Sequence, residues 1–127
     1  TALEALTEGR GTEADGEAVA PFFWGRWDAA AQRRHEAART ERNDEAAAIF
    51  GSDGAFDPQS TRAALAHHKG PVLVLAGEFD LNTPPETAAE IAGLFPDATT
   101  VVQPGAGHYP WLDDADRFVA TTAAFLS

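Results

Sequence analysis

The stretch Pro71–Asp80, PVLVLAGEFD, decides the fold, because five apolar residues run directly into a loop that ends in an acid. The continuous apolar run from Val72 to Ala76 is typical of a parallel β-strand that is covered on both faces. Asp80 follows the carboxyl end of this strand, where open α/β sheets place their ligand-binding and catalytic groups. The stretch therefore predicts an α/β fold with functional residues at the carboxyl edge of a parallel sheet.

A second stretch, Val101–Trp111 (VVQPGAGHYPW), repeats this arrangement with a histidine in place of the acid. A strand over residues 99–102 leads into a glycine-rich loop that carries His108, and a helix over about 83–94 separates the two strands. Strand–helix–strand spacing of this length predicts parallel neighbours joined by a right-handed crossover. We therefore expect Asp80 and His108 to meet at one edge of the sheet.

An acid and a histidine placed together can handle a proton, because the carboxylate fixes the imidazole tautomer and stabilises the imidazolium. Simpler roles are open as well. Asp80 could instead cap the helix that starts near Pro84, and His108 could be a turn histidine bonded to backbone. Glu78 shares the loop and competes for the role of acid, although a solvated loop charge is the simpler interpretation.

The chain divides into three parts: an acidic connection over residues 1–16, which could open with a short helix, a helical segment over 17–69, and a strand–helix–strand–helix segment over 70–127. Cap residues predict the helices between 28 and 70. Asp28 precedes a helix to Thr40, Asn43 one to Phe50, and Asp57 with Pro58 one to Gly70. The last helix of the chain begins at Asp113 or Asp114.

Residues 71–127, with GEFD, Pro84-Pro85 and PGAGHYPWL, resemble the C-terminal third of an α/β-hydrolase. They are similar to the bacterial branch that is proline-iminopeptidase-like or esterase-like, and residues 17–69 resemble its helical cap. The resemblance implies that Asp80 is the triad acid and His108 the general base. The implied activity is hydrolysis of an ester, amide or peptide-type acyl bond in a small-molecule substrate.

The triad serine is missing from the sequence, since no G-x-S-x-G motif occurs; the nearest approach is FGSDG at 50–54. We expect the serine on an upstream N-terminal hydrolase segment or on a second chain, and we expect this chain alone to be inactive. Two strands also make too small a parallel sheet, and the open apolar edge invites pairing. The alternative is a non-catalytic α/β module that pairs with a partner chain or with itself as a homo-oligomer.

The composition and net charge of the chain disfavour several other classes of partner and site. The net charge of −11 disfavours nucleic acid and anionic membranes as partners. The apolar runs are too short to span a bilayer. The sequence has no cysteine and no recognisable leader, so we expect a cytoplasmic protein. It has no HExxH motif either, and we expect no metal or cofactor. Eight arginines against one lysine, with abundant alanine, are typical of a GC-rich bacterial genome.

Further residues have two interpretations each. The aromatic residues between 22 and 27 could line a substrate pocket or pack the cap-like helices. The glutamates could recognise a substrate amine or form a solvated helix face. The remaining histidines could be surface residues or partial caps of helix C-termini. The glutamates are Glu36, Glu41 and Glu45, and the histidines are His35, His67 and His68.

Overall fold

The computed structural model describes all 127 residues, and helices are the only regular secondary structure in its first half. These are α1 (Ala2–Thr7), α2 (Glu13–Val19), a 3-10 helix (Ala20–Phe23), α3 (Ala29–Glu41), α4 (Asp44–Phe50) and α5 (Pro58–Leu65). None of the helices in the chain combines the length and the apolar character needed to cross a bilayer.

The caps predicted from the sequence start helices α3, α4 and α5. Asp28 accepts the N–H groups of Ala30 and Ala31, and Asn43 accepts that of Ala46. These bonds satisfy amide donors that a helix start otherwise leaves unpaired. The helix predicted after Asp28 and the helix predicted after Asn43 are therefore confirmed.

The third predicted helix is shorter than expected. Asp57 caps it by accepting the N–H of Ser60, but α5 ends at Leu65 instead of Gly70. The next amides bond only three residues back, His67 to Ala64 and His68 to Leu65. Such bonds belong to tight turns, and they end the α-helix one turn early.

Residues 1–16 fold as helices, whereas the sequence predicted a connection with at most one short helix. Thr1 with Glu4 and Thr12 with Asp15 each form a capping box, in which both side chains accept a backbone amide. Helix α2 continues through residue 16, so the predicted boundary there falls inside a helix. The Thr-x-x-Asp capping box that begins at Thr12 starts this helix before residue 16.

The second half contains the sheet and its helices. Its elements are β1 (Val72–Gly77), α6 (Pro85–Ala92), β2 (Ala98–Gln103), α7 (Pro110–Asp113) and α8 (Ala115–Leu126). The two strands are parallel and pair in register from Val72↔Ala98 to Gly77↔Gln103. The predicted strand–helix–strand unit is confirmed, while the single turn α7 was not predicted. The cap of α8 is Asp114, which accepts the N–H of Arg117.

Helices cover the sheet on both sides. Leu73 and Val101 share a groove with Phe125 of α8, whereas Val74 lies on the opposite side with Ile91 of α6. Alternation of side chains along each strand produces this division. The chain is thus a partial α/β fold with one helix layer on each face of a two-stranded sheet.

Both outer edges of this sheet are open, because β1 and β2 pair only with each other. Strand β1 pairs with β2 alone, so its other edge carries free backbone donors and acceptors. The interior is small: 13 of 127 residues are buried, and most buried apolar side chains are alanines. Large apolar side chains such as Trp111 and Val119 stay exposed. The open edges and the small core both fit a segment of a wider sheet.

Candidate active site

Asp80 lies in the turn between β1 and α6 and is almost fully buried, with 7% of its surface exposed. Its Oδ1 accepts the backbone N–H groups of Asn82 (2.8 Å) and Thr83 (3.0 Å). These two bonds fix the carboxylate and leave Oδ2 free for another partner. The N-cap residue of α6 is Pro84, and no side chain forms a cap hydrogen bond to this helix. The interpretation of Asp80 as the cap of α6 is therefore wrong.

His108 lies in the loop after β2 and supplies that partner. Its Nδ1 is 2.9 Å from Asp80 Oδ2, and its side chain is 35% exposed. Both ring nitrogens face side chains, since Nε2 lies 3.4 Å from Asn82 Nδ2. The alternative of a turn histidine whose ring bonds to backbone is therefore wrong. The parallel register brings the two predicted residues together across 28 positions of sequence.

The geometry defines what this pair can do. A carboxylate accepts only, so the proton of a neutral imidazole lies on Nδ1 and the lone pair lies on Nε2. Asp80 would then stabilise the positive charge if Nε2 took up a proton. The buried carboxylate and the partly exposed imidazole form a proton-accepting site whose reactive nitrogen is reachable from outside.

Glu78 has a role that the sequence did not predict. Its Oε2 accepts the N–H of Gly105 at 2.8 Å, so it is not the acid partner of His108; it is an exposed loop charge, as expected, that also bonds to a neighbouring loop. Gly105 has a positive φ of 70°, a conformation that favours glycine. Glu78 thereby ties the loop of the acid to the loop of the histidine.

Asp113 is a second residue whose part in the site the sequence did not predict. Asp113 was one of two candidates, with Asp114, for the cap of the last helix; Asp114 is the cap, and Asp113 Oδ2 accepts the N–H groups of Gly25 (3.2 Å) and Gly107 (2.9 Å). Gly25 lies 88 residues away in sequence. No local sequence pattern could show the bond to Gly25, because donor and acceptor come from distant segments.

The aromatic residues between 22 and 27 divide between the two expected roles. Phe22 borders a cavity of about 510 Å³ that also contacts Glu78 and Phe79. Trp24 is buried and packs on Tyr109 at a ring distance of 4.8 Å. Phe23 meets the His108 ring edge-on at 6.3 Å. Phe23 and Trp24 thus pack against the histidine loop, while Phe22 and Trp24 line the open cavity.

A second cavity, of about 240 Å³, lies along the open edge of β1 and reaches the candidate pair. Asp80 and His108 line one end, and Val74, Ile91 and Trp111 line the rest. The pair therefore faces the side of the sheet on which β1 has no neighbour.

The remaining candidates lie apart from the pair. His35 approaches Glu17 at 3.4 Å and stacks edge-on against Trp27, and His68 stacks against Phe95. No group of three or more His, Cys, Asp or Glu side chains is arranged to hold a metal ion.

The serine hydroxyls that have a defined partner bond to main-chain carbonyls. Ser52 donates to Ile49 at 2.7 Å, and Ser127 donates to Ala123 at 2.9 Å. Ser60 occupies the first turn of α5, where Asp57 accepts its backbone N–H. None of these serines is a hydrogen-bond partner of His108, whose ring nitrogens face Asp80 and Asn82.

Two parallel strands joined by a helix, with an acid after the first strand and a histidine after the second, define the chain as an α/β-hydrolase-type protein. A family model described as TAP-like protein, one of the α/β-hydrolase families, matches residues 51–126, more than half of the chain. The chain therefore belongs to this family. No curated protein matches it.

The match confirms the resemblance at the level of the α/β-hydrolases. It includes both strands and both candidate residues, and it begins at residue 51, within the segment predicted to resemble a cap. The division of the chain at residues 16 and 69 and the proline-iminopeptidase-like branch stay predictions.

Proposed function

We propose that this chain supplies the acid and the general base of a serine hydrolase, with Asp80 as acid and His108 as base. The 2.9 Å contact between Asp80 Oδ2 and His108 Nδ1 carries the proposal. Family membership supports hydrolase chemistry in general, and the finer assignment to ester, amide or peptide-type acyl bonds follows the resemblance of residues 71–127.

The proposed reaction uses the two ring nitrogens separately. His108 Nδ1–H donates to Asp80, while Nε2 takes the proton from a serine hydroxyl as that oxygen attacks the acyl carbon. The proton then passes from Nε2 to the leaving alcohol or amine. The amides of Asn82 and Thr83 hold the carboxylate in place throughout.

We place the serine on another segment of the polypeptide or on a second chain. Two observations support this placement: no serine of this chain is a partner of His108, and the cavity at the pair opens along the unpaired edge of β1. A further strand on that edge would bring its own carboxyl end beside His108.

The test labels the full product of the gene, purified together with any chain that binds it, with a fluorophosphonate probe and maps the modified serine by mass spectrometry. We expect labelling outside the 127 residues and none of this chain alone. His108→Gln and Asp80→Asn should slow labelling by a factor on the order of 10⁴, because the base or its tautomer is lost. His67→Gln, an exposed histidine outside the site, is the matched control. Labelling of Ser52, Ser60 or Ser127 would overturn the placement, and no labelling at all would overturn the function.

The open edge of β1 also supports a second candidate, a non-catalytic module that pairs with a partner or with a copy of itself. Free donors and acceptors next to apolar side chains favour addition of a strand. Sedimentation of the purified chain separates the candidates. Self-association that Val74→Lys abolishes is expected for pairing of copies, and a monomer at all concentrations would count against it.

A further inference from the structure

We propose that Asp113 is the positioning residue of the candidate base, holding the His108 loop against residues 23–25 so that the imidazole stays aligned with Asp80. The inference rests on the proposed function, because it assigns a role to Asp113 in that same site. Its first support is the single oxygen, Asp113 Oδ2, that accepts both the Gly25 and the Gly107 N–H groups.

The next amide of the loop is tied to the same segment. The N–H of His108 donates to the carbonyl of Phe23 at 2.7 Å. Two consecutive amides, those of Gly107 and His108, are thus held through residues 23–25, one by way of Asp113 and one directly. A histidine whose own amide and preceding amide are both held has little freedom to shift its Cβ.

The backbones in this contact approach too closely for any side chain. A Cβ on Gly107 would lie 2.5 Å from the Phe23 carbonyl oxygen, and one on Gly25 would lie 2.1 Å from the Gly105 carbonyl oxygen. Both distances are far below van der Waals contact, and both neighbours are main chain. The two glycines show independently of the hydrogen bonds that these segments are built to fit together.

The alignment matters because a displacement of the imidazole would lengthen its 2.9 Å contact to Asp80. Without that contact, neutral histidine in water prefers the proton on Nε2, the tautomer that cannot accept a proton from serine. Asp113 does not touch the reacting atoms in this scheme. It acts through the position of His108.

The experiment reads the tautomer directly. The chain is labelled with ¹⁵N-histidine, and long-range ¹H–¹⁵N spectra are recorded at about pH 8, above the ordinary histidine pKa of about 6.5. The resonances absent from His108→Gln assign His108. In the unaltered chain we expect mainly the Nδ1–H form, and in Asp113→Ala mainly the Nε2–H form.

Asp113→Asn removes the negative charge of the side chain but keeps an oxygen that can accept hydrogen bonds. One oxygen makes both bonds, so the asparagine carbonyl can replace it, and we expect Asn to retain the Nδ1–H form. Asp116→Ala removes a nearby exposed acid that bonds no loop amide and should change nothing. An unchanged tautomer in Asp113→Ala, or a loss of equal size in Asp113→Asn, would overturn the proposal.

A second measurement applies if Asp113→Ala does not fold. In the unaltered chain the amides of Gly25 and Gly107 should exchange with solvent slowly, because both donate to Asp113. Rapid exchange of these amides would contradict the proposed role of Asp113. Neither measurement requires activity. A failure of serine labelling would therefore count against the proposed function alone, and a failure of the tautomer test against the role of Asp113 alone.

Discussion

The site region, comprising residues 23–25, 77–82 and 103–114, and the helical segment 28–65 are held by different kinds of hydrogen bond. In the site region Glu78 bonds across 27 residues, Asp80 across 28 and Asp113 across 88. In the helical segment the caps of α3, α4 and α5 reach no further than three residues.

Burial differs in the same way. Helices α4 and α5 hold no buried residue and α3 holds only Ala31, whereas Asp80, Gln103 and Gly107 are all buried. The ion pairs that connect α3 to α2, through Arg39, are exposed. Local hydrogen bonds thus start each of these helices, whereas hydrogen bonds between distant segments hold the site. Substitutions in the site region should therefore affect the whole fold, and those in the helices only their own turn.

The largest effect is expected for Gly77→Ala at the end of β1. A Cβ there would lie 2.0 Å from the Gly107 carbonyl oxygen and 2.6 Å from that of Ala106, and main chain cannot move aside cheaply. We expect the free energy of unfolding to fall by about 3 kcal/mol. Urea denaturation followed by circular dichroism measures it.

Gly16→Ala is the matched control, because it lies inside α2 and a Cβ added there would meet no atom of a neighbouring segment within 4 Å. Alanine should stabilise the chain there by about 0.5–1 kcal/mol. Equal responses at the two glycines would show that the strand and the histidine loop are not in close contact.

The same difference explains how much of the molecule could be predicted. Asp28, Asn43 and Asp57 are N-cap residues, and each bonds to an amide two or three residues ahead. The start of each helix can therefore be predicted from the sequence alone. Asp80 and His108 were found because each follows a strand, and parallel strands end at one edge.

Glu78 and Asp113 were missed for a physical reason. Glu78 accepts the amide of Gly105 and Asp113 accepts the amide of Gly25, and neither of these donors lies near its acid in sequence. The only local trace is the glycine content of the histidine loop. The glycine-rich loop was expected to carry His108, but the need of Gly107 for close backbone contact with residues 23–25 appears only in three dimensions.

A smaller effect is expected for Gln103→Leu at the end of β2. The Gln103 side chain is 1% exposed, and its Nε2 donates to the carbonyls of Pro110 (2.8 Å) and Asp114 (3.2 Å). Leucine would leave these carbonyls without that donor, at a cost of about 1–3 kcal/mol in unfolding free energy. Gln59→Leu, on exposed α5, should change it by less than about 0.5 kcal/mol. If both variants unfold at the same urea concentration, Gln103 does not connect β2 to the last helices.

The smallest effect concerns acid and the first turn of α3. Hydrogen bonds from the Ala31 and Ala30 amides, aided by Arg26, hold the pKa of Asp28 below its ordinary value of 3.8. A lowered pKa in the folded state means that the ionised carboxylate stabilises the turn above pH 3.8. That contribution is lost as the pH falls through the lowered value. Chemical shifts of residues 29–32, recorded from about pH 5 downward, should show this turn fraying.

Asp28→Asn should remove that pH dependence while keeping the turn, because asparagine also caps helices and does not titrate. Asp53→Asn, at an exposed acid that accepts no helix amide, should leave the acid response of residues 29–32 unchanged. The shifts of Asp80 and His108 should not follow the fraying, since no cap of α3 connects to the site region. If the site shifts moved with those of residues 29–32, α3 and the site would be one cooperative unit and the contrast between the two regions would fail.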